Sequence, residues 1–195
     1  MAVSLVDKVQ IPEDRFEVRF SGSGGQGMIL ASVIMAEAIG ASDERNVVQT
    51  QSYGPEARGG ASKSDVVISE NEIYYPKAMK LDLLLAMTQE SMDKYFVDLK
   101  EGGTLVVDTT LVTDIPTQDY YGLPFTRLAR EEAGHIMVAN VIALAVISAI
   151  TKIVTREKLT EAVLKRAPKR AEDKNLKAIE IGFREADKLM KEKGK

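Results

Sequence analysis

Cysteine is absent from the 195-residue chain and histidine occurs once. Without a thiol the chain forms no disulfide, offers no thiolate nucleophile and cannot hold an iron–sulfur cluster through cysteine. His135 alone excludes histidine-paired metal sites and leaves a serine or threonine nucleophile a single candidate base. A basic surplus is missing as well. Lys and Arg number 26 against 29 Asp and Glu, a net charge of -3, which is not the balance of a nucleic-acid-binding surface. The longest apolar run, Ile136 to Ile150, is broken by Asn140 and Ser148 and falls short of the ~20 residues of a membrane span, so a buried helix is expected there. The segment Met1 to Lys8 shows no basic region followed by a continuous apolar stretch, and a cytoplasmic location is expected.

What is present suffices for a core: 45% of the residues are hydrophobic, and the length suits one domain over residues 1–195. Phe16 to Phe20 alternates apolar and charged residues as a strand, and Met28 to Ile39 follows as a helix that stops at Gly40. Val47 to Gln51 is a second strand. Ser64 to Ser69 is a third, with Glu70-Asn71-Glu72 as a turn and Ile73-Tyr74-Tyr75 as its hairpin partner. Leu81 to Met87 and Thr104 to Asp108 have the continuous apolar character of strands buried on both faces. Between them Gln89 to Leu99 is helical, and Gly102-Gly103 is expected to break that helix. After Arg130 the pattern is helical almost to the end. Thr155 is placed to cap a helix to Ala167, Pro168 separates the next, and Leu176, Ile179, Phe183, Ala186 and Leu189 form an apolar stripe before a charged tail from Lys188. The expectation is an α/β, Rossmann-like three-layer domain with a mostly parallel sheet and a helical C-terminal third.

Two loops stand out. Ser21-Gly22-Ser23-Gly24-Gly25-Gln26-Gly27 joins the first strand to the first helix with G-x-G-x-x-G spacing, which presents helix N-terminal N–H groups to an anion. A dinucleotide site also requires an acidic residue about 20 positions on, at the end of the second strand. That place holds Gln51-Ser52-Tyr53. The alternatives are another anion, a partner's backbone, or glycines that serve only tight packing. Tyr53-Gly54-Pro55-Glu56-Ala57-Arg58-Gly59-Gly60 follows the second strand, so it is expected at the same sheet edge, with Arg58 offering a planar guanidinium to a phosphate or carboxylate. Asp82 and Asp108 occupy opposite ends of strands and are read as structural, not as a catalytic pair. Asn140 is read as bonding a buried backbone group, and Met28, Met35, Met87 and Met137 as core filling. Lys77 and Lys80 with Tyr74 and Tyr75 are read as a solvated hairpin face.

Taken together, Gly22 to Gly27, Tyr53 to Gly60, Val66-Val67-Ile68-Ser69 and Lys100-Glu101-Gly102-Gly103 resemble the gamma subunit of 2-oxoacid:ferredoxin oxidoreductases over roughly residues 15–185. The wording is most like the 2-oxoglutarate branch, and pyruvate and 2-oxoisovalerate gamma subunits share much of it. The resemblance implies a non-catalytic subunit of a complex that decarboxylates a 2-oxoacid on thiamine diphosphate with magnesium, passes electrons through iron–sulfur clusters to ferredoxin, and forms an acyl-coenzyme A. It implies alpha and beta catalytic subunits and a ferredoxin-like delta subunit as partners, with no cofactor, catalytic residue or metal ligand in this chain alone. Gly22, Gly24, Gly25, Gln26, Gly27, Tyr53, Glu56, Arg58, Gly59 and Gly60 become candidates for a subunit interface or the rim of the coenzyme A entrance. The competing expectation is a stand-alone nucleotide-binding protein.

Overall fold

The computed structural model describes residues 15–41, 45–52 and 61–194. Six strands form one sheet: β1 (Phe16–Ser23), β2 (Asn46–Ser52), β3 (Ala61–Ser69), β4 (Leu81–Ala86), β5 (Leu99–Asp108) and β6 (Tyr121–Leu123), in the order β2-β3-β1-β4-β5-β6. β1, β4, β5 and β6 pair parallel in succession, while β3 lies antiparallel to both β1 and β2. Only β3 therefore runs against the other strands.

The period-2 alternation of β1 sorts its side chains onto two buried faces. Phe16, Val18 and Phe20 join the larger core with helix α1 (Met28–Gly40) and, from the C-terminal part, α3 (Phe125–Glu131), α4 (Ala139–Thr151), α5 (Arg156–Arg166) and α6 (Glu172–Glu192). Glu17 and Arg19 alternate with them but are buried too, on the face covered by α2 (Gln89–Tyr95). Charges survive there because each is paired. Arg19 forks onto both Asp65 carboxylate oxygens at 2.7 and 2.9 Å, donates to Asp98, and lies 5.1 Å from the Tyr95 ring centre.

α4 is buried along its entire length, as a mostly apolar helix must be, and its polar side chains Asn140, Ser148 and Thr151 are each hydrogen-bonded. Its closest neighbour is α6. An added Cβ at Gly182 would lie 2.5 Å from the Ala145 Cβ and 2.6 Å from the Ile142 carbonyl, so glycine permits that approach. Thr155 caps α5 through Lys158 N–H, as its position foretells. Asp82 accepts from Glu17 N–H and pairs with Lys100, while Asp108 accepts from the backbone and hydroxyl of Thr126, so both are structural.

Four expectations are corrected. Ile73-Tyr74-Tyr75 forms no strand, and the ladder neighbours of β3 are β1 and β2. The 70–80 stretch is irregular, held by Arg15 donating to the Tyr75 and Lys77 carbonyls and by Glu17 accepting from Met79 and Lys80 N–H. Gly102-Gly103 breaks no helix. α2 has already ended, and the pair sits inside β5 where the register to β4 shifts, Gly102 having φ +75°. Met137 is not core filling but half exposed. Lys188 to Glu192 continue α6, where Leu189 and Met190 pack on the core, and Lys193 lies 4.7 Å from the Tyr121 ring centre.

Candidate functional site at the end of β1

β1 leads into α1 on one face of the sheet, whereas its parallel neighbour β4 leads into α2 on the other. The chain thus diverges to opposite faces at the C-terminal ends of two adjacent parallel strands, which is the topological switch point where open α/β sheets form a crevice. The glycine turn lies there.

Ser23-Gly24-Gly25-Gln26 is a β-turn closed by Gln26 N–H to the Ser23 carbonyl at 3.3 Å. Gly25 at its third position has φ +90°, the left-handed conformation that a type II turn requires. Gly27, φ +74°, is the residue before α1. Its carbonyl accepts from Ala31 N–H at 2.9 Å and from the Asn140 side-chain amide at 3.2 Å. An added Cβ at Gly22 would collide with the Gln26 side chain and crowd Met87 at 3.1 Å. Three glycines therefore have internal reasons. Gly24 has none among the described residues: its φ is not positive, and an added Cβ would meet nothing of them within 4 Å.

Gln26 turns inward. Its Oε1 accepts from Ser23 N–H at 2.8 Å and its Nε2 reaches the Met87 carbonyl at 3.5 Å, so the side chain braces the turn. Backbone donors are among the groups left over. Among the described residues, the N–H groups of Gly24, Gly25 and Gly27 have no protein acceptor, and the first turn of α1 carries neither a side-chain cap nor an acidic residue. Gly24 and Gly25 are exposed. This donor set matches an anion.

Tyr53, Glu56, Arg58, Gly59 and Gly60 lie outside the described residues. The strand ends that flank them do not. Ala61 pairs with Ser23 and Ser62 with Gly22, with Ser62 Oγ donating to the Gly22 carbonyl at 3.2 Å. Ala61 N–H is held by Glu90 at 3.1 Å. Burial and the Arg19 guanidinium push the nearby Lys63 ammonium below the ordinary lysine value. His135 contacts no hydroxyl nucleophile among the described residues, its Nδ1 accepting instead from Met137 N–H at 3.2 Å. No group of three or more His, Asp or Glu suited to a metal occurs among the described residues, nor is any helix there long and apolar enough to cross a membrane.

The family pattern of pyruvate ferredoxin/flavodoxin oxidoreductase matches residues 17–185. The chain belongs to that family. It is 49% identical to the 2-oxoglutarate synthase subunit KorC of Methanocaldococcus jannaschii over 90% of this chain and 96% of that protein. The ketoisovalerate oxidoreductase subunit VorA of Methanothermobacter marburgensis is 34% identical but matches over only 31% of its own length, and the pyruvate synthase subunit PorC of that organism is 25% identical. In structure, the gamma subunit of a keto/oxoacid ferredoxin oxidoreductase from Geobacter sulfurreducens superposes with TM-score 0.82 and 47% identity, covering 90% of this chain and 98% of that one. The 2-oxoglutarate:ferredoxin oxidoreductase of Magnetococcus marinus, at 21% identity, shares the fold with TM-score 0.76, the match spanning 31% of that longer chain. The α/β expectation and the assignment to the gamma-subunit group both hold.

The sequence named the turn but not the division of labour within it. That Gln26 would be spent internally and Gly24 left without an internal task depends on the register of β1 against β4, which no local pattern reveals.

Proposed function

We propose that this chain is the gamma-type subunit of a 2-oxoglutarate synthase, contributing to oxidative decarboxylation of 2-oxoglutarate to succinyl-coenzyme A with reduction of ferredoxin. The observation that carries this reading is the 49% identity to a KorC subunit along nearly the whole of both chains, against 25% to a pyruvate synthase PorC. With no cysteine in the sequence, the iron–sulfur clusters belong to partner subunits in this reading, and so do thiamine diphosphate and its magnesium. The partners are alpha and beta catalytic subunits and a ferredoxin-like delta subunit, in the cytoplasm. One gamma-type domain spans residues 1–195.

The turn at the end of β1 is this chain's contribution to the shared site. Outward backbone N–H groups at Gly24, Gly25 and Gly27, with the Arg58 guanidinium, fit a phosphate of coenzyme A, and a phosphate would meet no acidic side chain in the first turn of α1. A partner carboxylate is the other anion the same donors fit. Dinucleotide binding is disfavoured because β2, Asn46–Ser52, contains no carboxylate for a ribose.

The test is reconstitution with the partner subunits of a 2-oxoglutarate synthase. The complex should oxidise 2-oxoglutarate with coenzyme A and ferredoxin, prefer it to pyruvate and 2-oxoisovalerate in kcat/KM, and lose activity when this chain is omitted. Arg58→Ala should raise the KM for coenzyme A or weaken assembly. Full activity without the chain, or a preference for pyruvate, would overturn the function, and an Arg58→Ala complex unchanged in both respects would remove Arg58 from the site.

A further inference from the structure

Beside the glycine turn a groove of about 500 Å³ opens between α1, α4, α5 and the start of α6. Its floor is apolar, with Ile34, Val138 and Val163 among its lining residues. Its rim is not. Arg170 and Lys174 are exposed at its mouth and make no ion pair among the described residues, whereas Arg166 beside them is held by Glu37. Among the described residues, two cations on one rim without an ion pair contrast with a chain whose net charge is -3. Leu30 and Met137 in its lining are 43 and 52% exposed, and Ile136, next to Met137 but outside the lining, is 45% exposed.

We infer that this groove receives a segment of a partner subunit that inserts an apolar side chain and sets carboxylates against Arg170 and Lys174. The inference rests on the reading of this chain as a subunit of a larger enzyme. Charge complementarity selects an acidic segment, since rim cations steer and register an anionic partner. The spread of exposed apolar side chains selects a polypeptide over a small anion. A molecule confined to the groove would leave Ile136 wet, whereas a chain running across its mouth covers Ile136 together with Leu30 and Met137, as the apolar centre of an interface does.

The experiment uses the reconstituted complex. Arg170→Glu/Lys174→Glu, both exposed changes, should weaken association with the partner subunits at least tenfold at low salt, and the difference should shrink at 0.5 M salt, where exposed charges are screened. A photo-crosslinking residue at position 30 should join this chain to a partner peptide containing both apolar and acidic residues. Wild-type assembly with undiminished assembly of the folded double variant would overturn the inference while leaving the subunit function standing, as would a crosslink to a peptide without acidic residues. Loss of binding of coenzyme A to the isolated double variant, with assembly unchanged, would assign the groove to a small anion and also overturn it. Failure of the wild-type chain to assemble would overturn both.

Discussion

The side-chain amide of Asn140, in a helix 113 residues further along the chain, donates to the carbonyl of Gly27 at 3.2 Å. It lies so close that a Cβ on Gly27 would come within 2.5 Å of its Nδ2. One buried polar side chain in a mostly apolar helix thus fastens the glycine turn to the helical layer, and the turn's shape is set from both sides: by Gln26 toward the sheet and by Asn140 toward α4.

Gly27→Ala should therefore destabilise the isolated chain by roughly 1–3 kcal/mol from its left-handed backbone alone, with a further increment from the Asn140 contact. Asn140→Ala should cost about 1 kcal/mol for the lost hydrogen bond. In a double-mutant cycle by urea unfolding, Gly27→Ala should cost less in the Asn140→Ala background than in the wild type, because the crowded amide is gone. Strict additivity would mean that the two residues do not touch.

A second prediction concerns the opposite face. Arg19→Met leaves the Asp65 carboxylate buried without its fork of donors, and breaking a buried pair on one side costs about 3–5 kcal/mol. Adding Asp65→Asn should recover part of the loss by removing the orphaned charge. If the double variant is less stable than Arg19→Met by the full cost of a second independent change, the ion pair is not the source of the effect.

How much of this could be read from the chain depends on the range of the forces involved. β1, α1 with its stop at Gly40, β4 and the Thr155 cap follow from periodicity and from residues adjacent in sequence, and they were legible. Ile73-Tyr74-Tyr75 has strand-like composition but no strand: the Tyr75 carbonyl is claimed by Arg15 across the fold, and Glu17 holds Met79 and Lys80 just beyond it. Leu176 belongs to the apolar stripe of α6 by spacing, yet it is exposed, the helix having turned so that Ala178, Ile179 and Gly182 meet the core and α4. At the site, the glycine spacing was visible, whereas the groove next to it joins residues from four helices and has no local signature.

The contact between α1 and α5 gives a pH dependence with a definite sign. Two hydrogen bonds from the Arg166 guanidinium hold the Glu37 carboxyl below its usual value. Because the folded-state pKa is the lower one, the unfolded chain takes up protons first as the solution is acidified. The stabilisation from this pair is fully present above the unfolded glutamate value of about 4.3 and is lost as pH falls through the folded Glu37 pKa. Comparing wild type with Glu37→Gln by thermal unfolding from pH 7 to pH 3 should show a stability difference that closes on the acid side. A difference that stays constant across that range would exclude the pairing as its source.

In the proposed role the turn at the end of β1 faces something outside this chain, and Gly24 isolates that role. The measurement is the KM for coenzyme A and the assembly of the reconstituted complex containing Gly24→Val, alongside urea unfolding of the isolated variant. With open space around its Cβ among the described residues and no positive φ, the substitution should leave the stability of the isolated chain within about 0.5 kcal/mol of wild type. In the complex the added side chain should obstruct approach to the backbone donors, raising the KM for coenzyme A or weakening assembly by tenfold or more. A stable variant with wild-type KM and wild-type assembly would mean that the turn faces neither coenzyme A nor a partner.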